Sequence, residues 1–209
     1  MNPDAPLVCI VDDDASIRKS LGRLLRSAGI VAEEFATARE YLRRASHEGA
    51  SCLVLDIQMP ELSGLDLQQM LSASGREEQV VFITGNGDIP MCANAMKAGA
   101  VDFLPKPFGD AQLLAAVGRA LARSGARRLE RKWQCEARRR VATLTPREFQ
   151  VLQRVVAGLL NKEIAAELGT ALKTVKVQRG RVMEKMGVVS VAELVRCAQQ
   201  AGVPPSGGS

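Results

Sequence analysis

The chain has 209 residues, 46% of them hydrophobic and 24% charged, enough for one large or two small globular domains and unlike a disordered or fibrous chain. No apolar run is long enough to cross a bilayer, and Met1–Leu7 has neither the basic nor the apolar region of a secretory signal. The five cysteines, Cys9, Cys52, Cys92, Cys135 and Cys197, include no C-x-x-C pair, which argues against a zinc site or disulfide framework and for a reducing cytoplasm.

The net charge of +5 conceals a split. Residues 1–123 hold 12 Lys/Arg and 16 Asp/Glu, a net of −4, and residues 124–209 hold the remaining 16 and 7, a net of +9. An acidic half followed by a basic half predicts two domains with different partners, the basic one facing a polyanion.

In residues 1–123, apolar runs at Leu7–Val11, Val31–Phe35, Cys52–Leu55, Val80–Ile83 and Val101–Leu104 alternate with amphipathic segments. One of these segments places Ile17, Leu21, Leu24 and Leu25 at helical spacing. Strand–helix repeats with Val/Ile/Leu-rich strands predict a doubly wound α/β domain, a five-stranded parallel sheet with helices on both faces. Gly29, Gly75 and Gly99 stand where helices should stop. Residues 124–142, with seven basic and two acidic positions, read as a basic linker or as a solvated continuation of the preceding helix. Gly125 weakens that continuity. A fully helical linker would span roughly 28 Å, and Trp133, the only tryptophan, is available to dock it.

From Leu144 the pattern is all helical, predicting a small four-helix domain over 143–203 followed by a disordered tail at 204–209. Thr145-Pro146-Arg147-Glu148 is a capping box with proline at the first helical position. Asn161 is expected to cap the next helix, which Gly169 ends. A third helix runs from Leu172 to Met186, and Ser190-Val191-Ala192-Glu193 opens the fourth with a second capping box. His47, the only histidine, is expected at the surface end of a helix with no role.

Four of the five strands end in polar residues. The first runs into Asp12-Asp13-Asp14, the third into Asp56 and the fourth into Thr84, and the fifth reaches Lys106. In an open α/β sheet the carboxyl ends of the strands line the ligand crevice. Clustered carboxylates need a cation, and an all-oxygen ligand set favours a hard ion such as Mg²⁺. An aspartate beside that ion can attack phosphorus, with a hydroxyl and an ammonium binding the phosphoryl oxygens. Taken singly, Asp14 is a better helix cap than ligand, Thr84 an ordinary strand end and Lys106 a surface lysine; together they describe a site.

Val11-Asp12-Asp13-Asp14, Val54–Pro60, Thr84-Gly85, Met96–Ala100 and Phe103–Phe108 closely resemble the receiver domains of two-component response regulators. The resemblance implies a sheet order of 2-1-3-4-5 and phosphorylation of Asp56 by a sensor histidine kinase. It further implies that Asp13, Asp56 and the backbone carbonyl of Gln58 ligate Mg²⁺, with Asp12 acting through water. Thr84 and Lys106 would contact the phosphoryl group, and Phe103 would rotate as Thr84 moves. Lys106-Pro107 would be a cis peptide, Gly85 would leave space beside the phosphate, and Gln58 and Asn86 would tune its hydrolysis. The helix Ile89–Ala98, with Met91, Ala95 and Met96, would form a phosphorylation-dependent homodimer surface.

In the helix Lys173–Met186, Val175, Val182 and Met186 fall on one face, and Lys173, Lys176, Val177, Gly180 and Arg181 on the other. A short preceding helix, a tight turn at Gly169-Thr170-Ala171 and this basic face fit a helix-turn-helix in the major groove of double-stranded promoter DNA. Lys173, Thr174, Lys176, Val177, Gln178, Arg179 and Arg181 are the expected DNA contacts. Leu144–Glu148, Val156–Gly158, Asn161–Ala165 and Thr174–Val177 resemble the LuxR-type domain, so the chain as a whole is similar to NarL/FixJ-family regulators, which also engage RNA polymerase. Gln178 stands where that family often has histidine, and Ala171 where it often has a capping Ser or Thr. Val191, Leu194, Val195 and Ala198 offer a surface for pairing two such domains or for packing within one. Mg²⁺ phosphohydrolases also use an aspartate nucleophile, but Gln58, two residues past Asp56, cannot serve as their proton donor. A passive dimerisation scaffold is disfavoured because no site residue is missing.

Overall fold

The computed structural model describes residues 5–76, 78–85 and 89–205, the side chains of 89–91 excepted. The chain divides into two compact units, Met1–Arg128 and Leu129–Ser209.

The first unit is built on five parallel strands, β1 (Leu7–Val11), β2 (Val31–Phe35), β3 (Ser51–Asp56), β4 (Gln79–Thr84) and β5 (Asp102–Pro105), in the order β2-β1-β3-β4-β5. Side chains alternate across the sheet. Leu7, Cys9 and Val11 of β1 join one core with Tyr41, Leu67, Leu71 and Ala95. Val8 and Ile10 join the other with Leu21, Leu25, Leu113 and Val117. The covering helices are α1 (Ala15–Ser27), α2 (Ala38–Leu42), α3 (Gly64–Ala73), α4 (Ile89–Lys97) and the beginning of α5 (Asp110–Val141). Because every residue of β1, β3 and β4 is buried, these strands read as continuous apolar runs rather than alternating ones.

Helix α5 is longer than its apolar pattern alone indicates. It continues through Gly125 and the basic stretch to Val141, and the boundary between the units falls within it, after Arg128. Ala137 is buried, whereas Trp133 keeps about half of its surface exposed.

The second unit contains α6 (Pro146–Val156), α7 (Asn161–Glu167), α8 (Leu172–Met186) and α9 (Val191–Ala201). Its core comprises Val151, Leu152, Val155, Ile164, Val175, Val182, Met186, Leu194 and Ala198. The Thr145–Glu148 capping box is present with Pro146 at the helix start. Two other caps differ from expectation. Asn161 lies inside α7, whose cap is Leu160, and the backbone N–H of Leu160 donates to Glu163 Oε2 at 2.7 Å. At α9, Ser190 Oγ accepts from Glu193 N, but the returning carboxylate of Glu193 accepts from Val189 N instead. His47 is not at a helix end; it lies in the loop after α2, with Nε2 2.8 Å from the carbonyl oxygen of Ala5. Leu194 and Ala198 are committed to their own core, which favours packing over pairing for that face of α9. Among the described residues, no helix is long and apolar enough to cross a membrane.

Candidate phosphoacceptor site and DNA-reading helix

Parallel strands deliver their C-terminal ends to one edge of the sheet, and there the predicted residues meet. Asp12 follows β1, and its carboxylate is fully buried. Asp12 Oδ1 accepts from the backbone N–H of Asp14 at 2.8 Å, while Arg18 Nη1 donates to the Asp12 carbonyl at 2.7 Å. Asp14 turns away to cap α1, accepting from Ser16 N and Ile17 N. Asp56 closes β3 and is 5% exposed, and its Oδ1 accepts from Gln58 N at 3.4 Å. One carboxylate oxygen from each of Asp12, Asp13 and Asp56 lies within 4.8 Å of the others.

Lys106 reaches into this group from the end of β5. Its Nζ donates to Asp12 Oδ2 at 2.8 Å and to Asp56 Oδ2 at 3.2 Å. Its backbone N–H donates to the Thr84 carbonyl at 2.7 Å, which joins the ends of β4 and β5, and the Lys106-Pro107 bond is cis. Thr84 is fully buried. Phe103 is half-buried against the core that holds Leu55, Phe82 and Ala95.

The electrostatics follow from burial. Desolvation raises the Asp56 carboxyl above its ordinary value, Asp12 adds to the rise, and the Lys106 ammonium opposes it without cancelling it. For Lys106 desolvation acts downward, but its hydrogen bond to Asp12 and the charges of Asp12 and Asp56 outweigh it, so the ammonium is held above its usual range. Two buried carboxylates and an exposed third, served by one lysine, form an oxygen-only donor set with an excess of negative charge. That set fits a hard divalent cation such as Mg²⁺.

Two supporting residues escaped the sequence reading. Gly64, at the start of α3, is so close to β3 that a Cβ there would lie 2.3 Å from the Asp56 carbonyl oxygen. Arg18 braces Asp12 from one turn inside α1, a pairing no motif announces. Asn86 lies outside the described residues, as does the side chain of Met91. Of the other residues expected on the α4 surface, Ala95 is fully buried and Met96 is 46% exposed.

In the second unit, α8 presents Lys173, Thr174, Lys176, Val177 and Arg181 to solvent, while Val175, Val182 and Met186 are fully buried. Gln178 and Arg179 are half-buried. Arg179 Nη1 donates to Asn161 Oδ1 at 2.8 Å, so this arginine ties α8 to α7. Ala171 takes the cap position of α8 with no side-chain hydrogen bond, and Gly169 supplies the left-handed turn between the two helices.

Comparison with known proteins agrees with both halves. Residues 8–118 match the response regulator receiver domain, and residues 142–198 match the luxR family of bacterial regulatory proteins. The chain is 47% identical over 197 residues to Nodulation protein W of Bradyrhizobium diazoefficiens, covering 94% of this chain and 87% of that protein. It is 43% identical over 204 residues to the transcriptional regulatory protein FixJ of Azorhizobium caulinodans, covering 98% and 97%. Among solved structures, response regulator StyR shares 47% identity with a TM-score of 0.84, over 94% of this chain and 99% of that one. Full-length FixJ from B. japonicum shares 38% with a TM-score of 0.56, over 94% and 97%. The chain therefore belongs to the NarL/FixJ family of two-component response regulators, phosphorylation-dependent transcription regulators that join a receiver to a LuxR-type DNA-binding domain.

Proposed function

We propose that Asp56 takes a phosphoryl group from the phosphohistidine of a sensor histidine kinase and that the resulting acyl phosphate sets the affinity of α8 for promoter DNA. In the transfer an Asp56 carboxylate oxygen forms a bond to phosphorus as the kinase's N–P bond breaks, and the imidazole leaves with the N–P electron pair. Asp12, Asp13, Asp56 and the backbone carbonyl of Gln58 would hold Mg²⁺, which when bound neutralises charge on the transferring oxygens. Lys106, released from its bridge between Asp12 and Asp56, pairs with a phosphoryl oxygen. The Thr84 hydroxyl donates to another, and Phe103 turns into the space Thr84 leaves. The product is a bistable receiver whose populations the phosphate shifts.

The downstream steps belong to the same proposal. The phosphorylated chain forms a homodimer, and two copies of α8 engage double-stranded DNA. Lys173, Thr174, Lys176, Gln178 and Arg181 provide polar contacts, and Val177 an apolar one to a thymine methyl. Arg179 serves the interface by holding α8 against α7. RNA polymerase is the expected further partner, and the cytoplasm the expected compartment. Asp56 is an input in this account and not a turnover catalyst.

The observation that carries the reading is the convergence of Asp12, Asp13 and Asp56 within 4.8 Å, with the Lys106 ammonium bonded to Asp12 and Asp56. Treating the chain with acetyl phosphate tests it. A phosphoryl mass increment confined to the peptide containing Asp56, present with Mg²⁺ and absent with a chelator or in Asp56→Asn, is the expected result. Steady phosphate release from many esters would mark a phosphohydrolase instead, and failure to form any adduct would mark a scaffold.

A further inference from the structure

We propose that Arg140, in the last turn of α5, is a positioning residue for DNA recognition that holds the C-terminal end of α8 through the carbonyl of Met186. The proposal rests on the reading above in which α8 faces DNA.

A helix leaves its last carbonyls without intrahelical donors and carries partial negative charge at that end. Helix α8 closes on Gly187, in the left-handed conformation, whose N–H goes back to Glu184 O and Met183 O. Val188 N donates to Met183 O at 3.1 Å. The Met186 carbonyl receives its donor from outside the helix: Arg140 Nη1 lies 2.8 Å away. One turn earlier in α5, Glu136 Oε1 accepts from Arg140 Nε at 2.9 Å and fixes the guanidinium. The guanidinium also lies against bare backbone, since a Cβ on Gly187 would come within 2.9 Å of Nη1.

Neighbouring contacts hold the same end. Lys185 Nζ donates to Thr143 O at 3.2 Å and to Glu148 Oε2 at 2.7 Å, and Met186 itself is fully buried. The opposite end begins at Ala171 without a side-chain cap, and it carries the exposed Lys173, Thr174, Lys176 and Val177. A rod of 15 residues, about 22 Å at the helical rise, is thus held at the end far from these side chains by polar contacts to α5, α6 and the segment between them. A slip at Met186 changes the angle at which they meet DNA. Arg140 donates through Nε to Glu136 and through Nη1 to Met186, and it lies in the same compact unit as α8, so its assigned part is to set that angle; a phosphate contact through Nη2 is the alternative that salt dependence separates.

The test measures binding of the full-length chain, treated with acetyl phosphate and Mg²⁺, to two duplexes. One is selected from a random-sequence library by the unmodified protein, and the other is a scrambled duplex of equal composition. Arg140→Ala should weaken binding to the selected duplex roughly tenfold, the order expected for one charge-assisted hydrogen bond. Binding to the scrambled duplex should change less than about twofold, and the slope of log K against log salt should not change. A lost phosphate contact would instead lower that slope by about 0.9. Arg140→Lys, which keeps the charge without the fork, and Glu136→Gln, which frees the guanidinium, should show the same pattern more weakly and carry the test should Arg140→Ala unfold. A reduced salt slope, or equal losses on both duplexes, would overturn the proposal. Lys176→Ala and Arg181→Ala separate the two levels. If they weaken binding and the Arg140 and Glu136 variants do not, the Arg140 assignment alone fails; if they have no effect, the reading of α8 fails with it.

Discussion

Gly64 and Asp56 are in such close register that a methyl group on Gly64 would stand 2.3 Å from the Asp56 carbonyl oxygen and 3.0 Å from Leu55 Cγ. The crowded atom is backbone, flanked by the ladder that pairs Asp56 with Ile83 of β4, so it cannot swing aside as a flexible side chain would. Gly64→Ala is therefore expected to destabilise the receiver by about 2 kcal/mol and to slow phosphorylation of Asp56 by acetyl phosphate. Thermal unfolding and the rate of adduct formation check this; a variant within about 0.5 kcal/mol of the parent and equally fast would contradict it.

Glu148 gives the second unit an acid-sensitive element. The hydrogen bond from Lys185 (2.7 Å), followed by that from the Thr145 N–H (2.9 Å), holds its carboxyl below the usual range. A folded-state pKa below the unfolded value of about 4.3 means that the stabilisation is fully present above that pH and is lost as pH falls through the lower folded value. Glu148→Gln should cost about 1–2 kcal/mol at pH 7, with the difference shrinking below about pH 4. Urea unfolding at several pH values, followed by a probe in the second unit, measures it; a pH-independent difference would contradict the assignment.

Ala171 is the cap of α8 and offers no side-chain acceptor, although its backbone is already extended at φ −75° and ψ 145°. Ala171→Ser or Ala171→Asp should therefore stabilise the second unit by about 1 kcal/mol. Amide exchange at Leu172–Val175 should slow in proportion. Unchanged exchange would mean that the start of α8 is already held by other means.

The cysteines should divide by burial. Cys9 and Cys52 are buried, and desolvation pushes the Cys9 thiol up to about 12 and the Cys52 thiol up as well, whereas Cys135 is exposed. Since the thiolate is the reactive form, alkylation of the native protein should modify Cys135 first and leave Cys9 and Cys52 intact until global unfolding. Peptide mass spectrometry over time reads this directly, and equal rates would contradict it.

Much of the architecture was legible because its determinants are local. The Thr145–Glu148 box spans four residues and fixes the start of α6; continuous apolar strands ending in Asp12, Asp56, Thr84 and Lys106 point to a parallel sheet with a site at one edge. What escaped depends on partners distant in sequence. Asn161 has a good capping side chain, yet it serves Arg179 on the next helix while Leu160 takes the cap position. Arg140 reads as one charge in a solvated run, and only the fold brings it to Met186. Gly125 signals a possible break that the surrounding helix formers override. Gly64 carries no signal of its own, because close backbone approach leaves no trace in spacing.

Chemistry at Asp56 is proposed to govern DNA binding by α8. The most direct test is the affinity of the full-length chain for a duplex selected by the phosphorylated protein, measured with and without acetyl phosphate and Mg²⁺, for the parent and for Asp56→Asn. Phosphorylation should tighten binding at least tenfold, corresponding to a coupling of about 1.4 kcal/mol, with no gain in Asp56→Asn. An equal gain in Asp56→Asn, or a phosphorylated parent that binds no more tightly, would contradict it.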